Sequence, residues 1–226
     1  MLSEEHLSKI GGVSAITGVF VLLVVTMLHP MDTHPGDAPA AFAEYALDRF
    51  WVATHLGQLL GFVLIGTGLI ALFWKLRAGA AGAWALLGAV TTVATVSLAG
   101  ALQAVDGIAL KFMVDRWSAA SEDARAMVFE AAFSVRQIEI GLAALTNASF
   151  GLAVLLYGIA LVLSTVGPTW LGVFGMLGGI ASLVAGIILA HAGFSDIAMA
   201  TSIPSTLAVL LWTLVVGILL LRRSRL

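Results

Sequence analysis

The chain has 226 residues, of which 60% are hydrophobic and only 11% are charged. Soluble proteins carry about 25% charged residues, so this composition argues against a water-soluble fold. The sequence contains no cysteine, which excludes disulfides, thiolate metal sites, iron–sulfur clusters and cysteine nucleophiles.

Six long apolar runs follow one another along the chain. Each has about the length of roughly 20 residues that a helix needs to cross about 30 Å of hydrocarbon. The sequence therefore predicts an all-α polytopic membrane bundle that forms a single membrane domain over residues 1–226. The predicted spans are residues 10–28, 51–74, 80–104, 138–166, 170–190 and 203–221.

Two longer segments leave the predicted membrane region, residues 29–50 and residues 105–137. The first opens with a turn that contains two prolines and a glycine, and a short helix from Pro39 to Phe50 is expected to follow. In the second, Ser121 precedes two acidic residues and predicts the start of a helix. This helix either lies on the membrane surface or projects from span four. Pro204 is expected at the first position of span six.

Lysine and arginine predict the orientation of the bundle. Basic residues favour the cytoplasmic flanks of spans, and six of the eleven fall on short flanks if the amino terminus is inside. The opposite face then receives eleven of the thirteen acidic residues. Both termini are therefore predicted to be cytoplasmic. The six basic residues are Lys9, Lys75, Arg77, Arg222, Arg223 and Arg225.

Polar side chains from five spans collect at the predicted outer ends. Polar groups in lipid are costly and normally point at a bundle interior or a watery cavity, so we expect an outward-opening polar pocket. Histidines and carboxylates at one level are also the residue types that bind zinc, iron or copper, or that move protons. The residues are His29, His55, Gln58, Gln103, Asp106, Arg136, Glu139 and His191.

The metal hypothesis gives these residues specific roles. His55 and His191 are the predicted nitrogen ligands of a divalent ion, zinc, iron or copper. His29, which begins the turn segment after span one, is a further candidate ligand. Asp106 or Glu139 is expected to act as an oxygen ligand or as a general base.

Four further residues are predicted to bind a ligand in the pocket. Arg136 would hold an anionic group, and Gln58 and Gln103 would line the pocket. Asn147 shares one face of span four with Arg136 and lies roughly 13 Å below the start of that span, at 1.5 Å per residue.

Other hypotheses remain open at this point. The polar residues at helix ends could simply reach headgroups and water. A haem held by His55 and His191, or a proton-coupled transporter that uses Asp106, Glu139 and Asn147, would also fit. Whether the protein is an enzyme is not decided. The expected partners are the lipid bilayer, an apolar small molecule, and a second copy or a partner subunit, with no nucleic acid.

Four tryptophans at span edges are interpreted as interfacial anchors: Trp51, Trp74, Trp117 and Trp170.

Three short motifs resemble an uncharacterised bacterial family of six-span integral membrane proteins of about this length. The motifs are Lys9-Ile10-Gly11-Gly12 at span one, Pro35-Gly36-Asp37 before the short helix, and Pro168-Thr169-Trp170-Leu171-Gly172 at span five. The resemblance implies a six-helix fold in the bacterial inner membrane, and it carries no activity and no site residues with it.

Overall fold

Helices account for nearly all of residues 4–222, which is the part of the chain that the computed structural model describes, and no β-strand occurs in that range. Arg223 and Arg225, on which the predicted orientation partly rests, lie outside the described residues. The α-helices are α1 (Glu4–Met27), α2 (Ala38–Leu47), α3 (Trp51–Leu76), α4 (Ala81–Gln103), α5 (Lys111–Ser118), α6 (Glu122–Val162), α7 (Thr169–Ala192) and α8 (Asp196–Leu221). A π-helical turn, Ala104–Leu110, joins α4 to α5.

Six helical segments of the described chain are long and apolar enough to cross a membrane. They are α1, α3, α6, α7, α8 and the continuous segment from α4 through α5. This confirms the predicted all-α bundle of six transmembrane helices. The chain is therefore a multi-pass membrane protein, since lipid must surround so many exposed apolar side chains.

The spanning helices form a closed ring in chain order. α1 packs on α3, α3 on α4, α4 on α6, α6 on α7 and α7 on α8, and α8 packs back on α1. Consecutive spans run antiparallel. The second and fifth spans, α3 and α7, therefore lie across the ring from each other.

One end of the bundle carries an additional small domain-like layer, which we call the cap: α2, α5 and residues 122–136 of α6. Phe42, Val114, Trp117 and Val128 form its apolar core. α6 has 41 residues, which corresponds to about 60 Å at 1.5 Å per residue, twice the hydrocarbon thickness. The helix predicted to start at Ser121 is thus the projecting end of span four.

The start of the sixth span differs from the prediction. α8 begins at Asp196, and Pro204 lies inside the helix rather than at its first position. The Ser195 side chain caps the helix by accepting from the Ala198 N–H at 3.4 Å. Pro204 is exposed. Spanning helices tolerate proline because nearby hydroxyls and neighbouring helices satisfy the freed backbone groups.

Close backbone contact between α6 and α7 depends on glycine. A Cβ placed on Gly179 would lie 2.5 Å from the Leu155 nitrogen and 2.6 Å from the Gly151 oxygen. Both are backbone atoms, so neither can move aside without separating the helices. Small residues at such crossings let two helices pack by van der Waals contact, which drives helix association inside lipid.

We expect Gly179→Ala to destabilise the bundle by about 1–3 kcal/mol, because the added methyl group overpacks the α6–α7 contact. Unfolding by SDS in mixed micelles, followed by tryptophan fluorescence, measures the effect. The matched control is Gly141→Ala, since a Cβ on Gly141 meets no atom within 4 Å. Equal stability of the two variants would show that α6 and α7 are not in close contact.

Candidate metal centre

A histidine and an aspartate from two spanning helices meet at the cap end. The His55 Nε2 atom lies 3.0 Å from the Asp106 Oδ2 atom. The His55 side chain is 1% exposed, whereas that of Asp106 is 15% exposed. The approach requires glycine at position 107, because a Cβ there would collide with the Cβ of His55. Asp106 is thus the side of the pair that solvent or a ligand can reach.

The π-helical turn carries Asp106 and orients its side chain towards His55. Such turns insert one extra residue into a helix and often occur at functional sites. The Trp51 indole Nε1 donates to the Asp106 backbone oxygen at 3.1 Å, which supplies a donor from another helix. Trp51 is 1% exposed. The interpretation of Trp51 as an interfacial anchor is therefore wrong, because its ring is buried and holds the turn that carries Asp106.

His29 completes a group of three possible metal ligands. One ligand atom from each of His29, His55 and Asp106 lies within 4.8 Å of the others. The Nδ1 atom of His29 lies 2.9 Å from the Pro30 oxygen, and the Nδ1 atom of His55 lies 2.7 Å from the Trp51 oxygen. A carbonyl can only accept, so each Nδ1 carries a proton and donates it. This leaves each Nε2 atom available as a ligand, an arrangement that is usual around protein-bound metals.

Burial favours the form of His29 that can bind a metal. It lowers the pKa of His29, although the Pro30 carbonyl and the charge of Asp106 act in the opposite direction. The neutral imidazole therefore predominates at neutral pH, and only the neutral ring offers a lone pair to a metal.

His29 begins a loop, residues 28–37, that we call the strap. Its backbone is held from the cap, because the Glu44 carboxylate accepts the N–H groups of Asp32 and Thr33 at 3.0 Å each, and the Thr33 hydroxyl as well. These hydrogen bonds outweigh the burial that opposes them and lower the pKa of Glu44. At its far end, His34 Nε2 lies 3.1 Å from the Asp196 carboxylate at the start of α8.

Arg136 joins the strap to the cap. Its guanidinium donates to the Pro35 oxygen at 2.6 Å and to the Tyr45 hydroxyl at 3.4 and 3.5 Å. It also lies over the rings of Phe42, Tyr45 and Phe194 at 5.2–5.6 Å. The arginine is 2% exposed. The predicted role of holding an anionic ligand is thus taken by the protein itself, since backbone and aromatic groups surround the guanidinium.

Acceptor atoms outnumber donors around the histidines. Within the described residues, Asp48 Oδ2, Gln103 Oε1 and Glu139 Oε2 are buried and have no hydrogen-bond partner. Asp48 and Asp106 both act electrostatically on His29 and His55, and Asp106 acts on Glu139. The guanidinium of Arg136 also reaches this region, with its Nη1 atom 3.8 Å from Glu139 Oε2. Buried acceptor oxygens without donors make this region attractive to a cation or to another donor.

Three of the predicted site residues, His191, Gln58 and Asn147, lie apart from this group. His191 is exposed at the end of α7, across the ring from α3, so the predicted pair of His55 and His191 does not form. Gln58 donates to the Thr26 hydroxyl at 3.4 Å, between α3 and α1. Asn147 accepts from Ser182 at 2.7 Å and joins α6 to α7. The predicted shared depth of His191, Gln58 and His55 was therefore a poor guide to proximity.

Three residues of the site were not predicted from the sequence: Asp48, Tyr45 and Gly107. The buried role of Trp51 was not predicted either. The spacing of Trp51 and His55, one helical turn apart, was a usable signal for that last role. Asp48 and Tyr45 belong to the short helical layer before α3, where an acid or a tyrosine has no distinguishing pattern.

Comparisons with protein-family models, with curated proteins and with solved structures find no match to this chain. The resemblance of its three short motifs to a bacterial six-span family therefore stays a prediction.

We expect Arg136→Met to destabilise the protein by roughly 3–5 kcal/mol, because it leaves Glu139 without its buried counter-ion and frees the strap. Limited proteolysis should also become faster within residues 30–37. The control is Arg116→Met, since Arg116 is exposed on the cap. If the two variants are equally stable and equally resistant to protease, Arg136 does not hold the strap.

Proposed function

We propose that the protein binds one divalent transition metal ion through His29, His55 and Asp106, with zinc as the best match. The observation that carries this proposal is the convergence of the three ligand atoms within 4.8 Å. Zinc binds histidine nitrogen and carboxylate oxygen at about 2.0–2.2 Å, which places two such ligands roughly 3.0–3.5 Å apart. The 3.0 Å separation of His55 and Asp106 already has that value.

The ligand set supports a catalytic rather than a purely structural metal. Structural zinc sites usually have four protein ligands, whereas catalytic sites have three and leave a position for water or substrate. Two imidazoles and one carboxylate are a common catalytic set. The partial exposure of Asp106 leaves one side of the group accessible. We therefore assign the protein as a membrane enzyme that uses a metal with one open position.

The surroundings of the site favour an apolar or amphiphilic substrate. Large apolar side chains close in sequence to His29 and Trp51 are 64–83% exposed, and we call them the apolar rim. A molecule dissolved in the bilayer could reach the site along this rim without crossing water. The rim residues are Met27, Leu28, Met31, Leu47 and Phe50.

The distribution of charge supports an extracytoplasmic site. Lys9, Lys75 and Arg77 lie at the end opposite the cap, and the positive-inside rule places that end in the cytoplasm. The cap, the strap and the three ligands would then face the periplasm of a bacterial inner membrane. A catalytic metal there could be loaded after insertion of the protein.

We expect the purified full-length chain, loaded with zinc and dialysed, to retain about one zinc ion per chain. His29→Ala, His55→Ala and Asp106→Asn should each lower zinc affinity at least about tenfold, because each removes a ligand. Elemental analysis of detergent-purified protein measures the bound metal. His191→Ala is the matched control, since His191 lies outside the group, and it should keep its zinc.

A second pair of variants tests the geometry rather than the ligands. Gly107→Ala should lose zinc, since the new Cβ collides with His55, whereas Gly100→Ala should retain it because its Cβ would meet only Leu59 Cδ1 at 3.8 Å. Zinc binding that is unchanged in His55→Ala and Gly107→Ala would refute the site.

One observation favours a second candidate function, proton transfer by His55 and Asp106. Both ring nitrogens of His55 face acceptors, Trp51 O at 2.7 Å and Asp106 Oδ2 at 3.0 Å. A ring that carries two protons satisfies both contacts without a metal. Ionisable pairs inside membrane bundles are typical of proton-coupled transporters.

If this second function holds, chelator-treated protein should conduct protons in liposomes that contain a pH-sensitive dye, under a potassium diffusion potential. Asp106→Asn should abolish the flux and Asp115→Asn, on the exposed surface of the cap, should leave it unchanged. Absence of flux above that of empty liposomes would reject proton transfer.

A further inference from the structure

Two buried oxygen atoms near the proposed metal have no donor. Among residues 4–222, neither Glu139 Oε2 nor Gln103 Oε1 has a hydrogen-bond partner, although both residues are only 5% exposed. A carboxylate oxygen and an amide oxygen are both acceptors. Leaving such atoms unpaired inside a membrane bundle is costly, so each indicates a group that donates to it.

The packing of α4 against α6 places Glu139 at the level of Gln103 and Asp106. The Thr95 hydroxyl lies 3.1 Å from that of Ser149, which fixes the register of the two antiparallel helices. Ten residues nearer the cap than this pair, α4 has reached residue 105 and α6 has reached Glu139. Glu139 therefore lies at the level of residue 105, between Gln103 and Asp106. The contact of α6 with the π-helical turn and the electrostatic interaction of Glu139 with Asp106 agree with this register.

Arg136 does not satisfy Glu139. Its Nη1 atom lies 3.8 Å from Glu139 Oε2, beyond hydrogen-bond distance, and its other donors go to Pro35 and Tyr45. A water molecule is the simplest group that donates to two acceptors at once, and its own oxygen then remains free. Held between Glu139 and Gln103, that oxygen would be directed towards the level of Asp106.

We propose that Glu139 is the general base of a hydrolytic site, that Gln103 orients the attacking water, and that the substrate is a carboxylic ester or amide. This inference rests on the metal site proposed above, because the metal would polarise the substrate carbonyl. A buried carboxylate within reach of a water and an accessible metal is the arrangement that metal-dependent hydrolysis requires. The apolar rim fits an ester or amide carried by an amphiphile.

The reaction is balanced without any further reagent. Glu139 Oε2 takes a proton from the water, and the water oxygen forms a bond to the carbonyl carbon. The bond from that carbon to the ester oxygen or amide nitrogen then breaks. Glu139 returns the proton to the departing oxygen or nitrogen, so that the products are a carboxylic acid and an alcohol or amine.

The test uses the zinc-loaded full-length chain in detergent with two probes, acetohydroxamate and p-nitrophenyl hexanoate. Acetohydroxamate chelates zinc and transfers its proton to a neighbouring base, so calorimetry of its binding reports on Glu139. We expect Glu139→Gln to keep its zinc, to bind acetohydroxamate about tenfold more weakly, and to hydrolyse the ester roughly 10²–10⁴-fold more slowly. Gln103→Met should show a smaller loss on both measurements, of about tenfold or less.

Glu130→Gln is the matched control, because Glu130 is an exposed glutamate on the projecting part of the same helix. It should behave as the unmodified protein does. Thermal unfolding of each zinc-loaded variant checks that the fold is kept, and Gln103→Met provides the test if Glu139→Gln does not fold. Wild-type chain that holds zinc but neither binds acetohydroxamate nor cleaves the ester would overturn the inference. Equal rates for Glu139→Gln and Glu130→Gln would also overturn it, whereas absence of zinc would overturn the metal site itself.

Discussion

The contact between His55 and Asp106 is the constraint on which the rest of the site depends. It crosses from α3 to the π-helical turn at 3.0 Å, and glycine at position 107 makes the approach possible. In a bundle surrounded by lipid, two ionisable groups persist at such a position only when each satisfies the other or a shared ion. Trp51 serves both partners, since its carbonyl accepts from His55 and its indole donates to the backbone of Asp106.

The spans could be predicted from the sequence because lipid leaves a chain few choices. Every backbone group within the hydrocarbon must bond internally, so an apolar run of sufficient length becomes a helix. The same rule explains the error at Pro204. Proline ends helices in water, where the lost hydrogen bond goes to solvent, but a spanning helix continues through it at an exposed position. Hydropathy does not indicate how far a helix projects beyond the membrane. The sequence therefore left two alternatives for the first part of α6, a helix on the membrane surface or the projecting end of span four.

The candidate site could be predicted only in part, because sequence position gives the depth of a residue but not its place around the ring. The sequence analysis placed His55, Asp106 and Glu139 at one depth. Their elements are also in contact, because α3 and α6 both pack against the π-helical turn that carries Asp106. His191 has the same depth and fails as a partner, since α7 faces α3 across the ring. Most contacts between spans in this bundle join neighbours around the ring, with weaker packing among α3, α6 and α8. The order of the spans around the ring, which a pattern of apolar runs does not give, is therefore what separates His191 from His55.

His29 differs from the other two ligands because no spanning helix holds it. Its position depends on the strap, and the strap depends on Glu44, Arg136 and the contact of His34 with Asp196. The affinity of the proposed metal would therefore be coupled to docking of the strap on the cap and on α8. A metal bound at His29 would in turn fix the strap, since binding to the docked form stabilises it by mass action. The same loop would thus supply one ligand of the proposed metal and would itself be held in place by that metal.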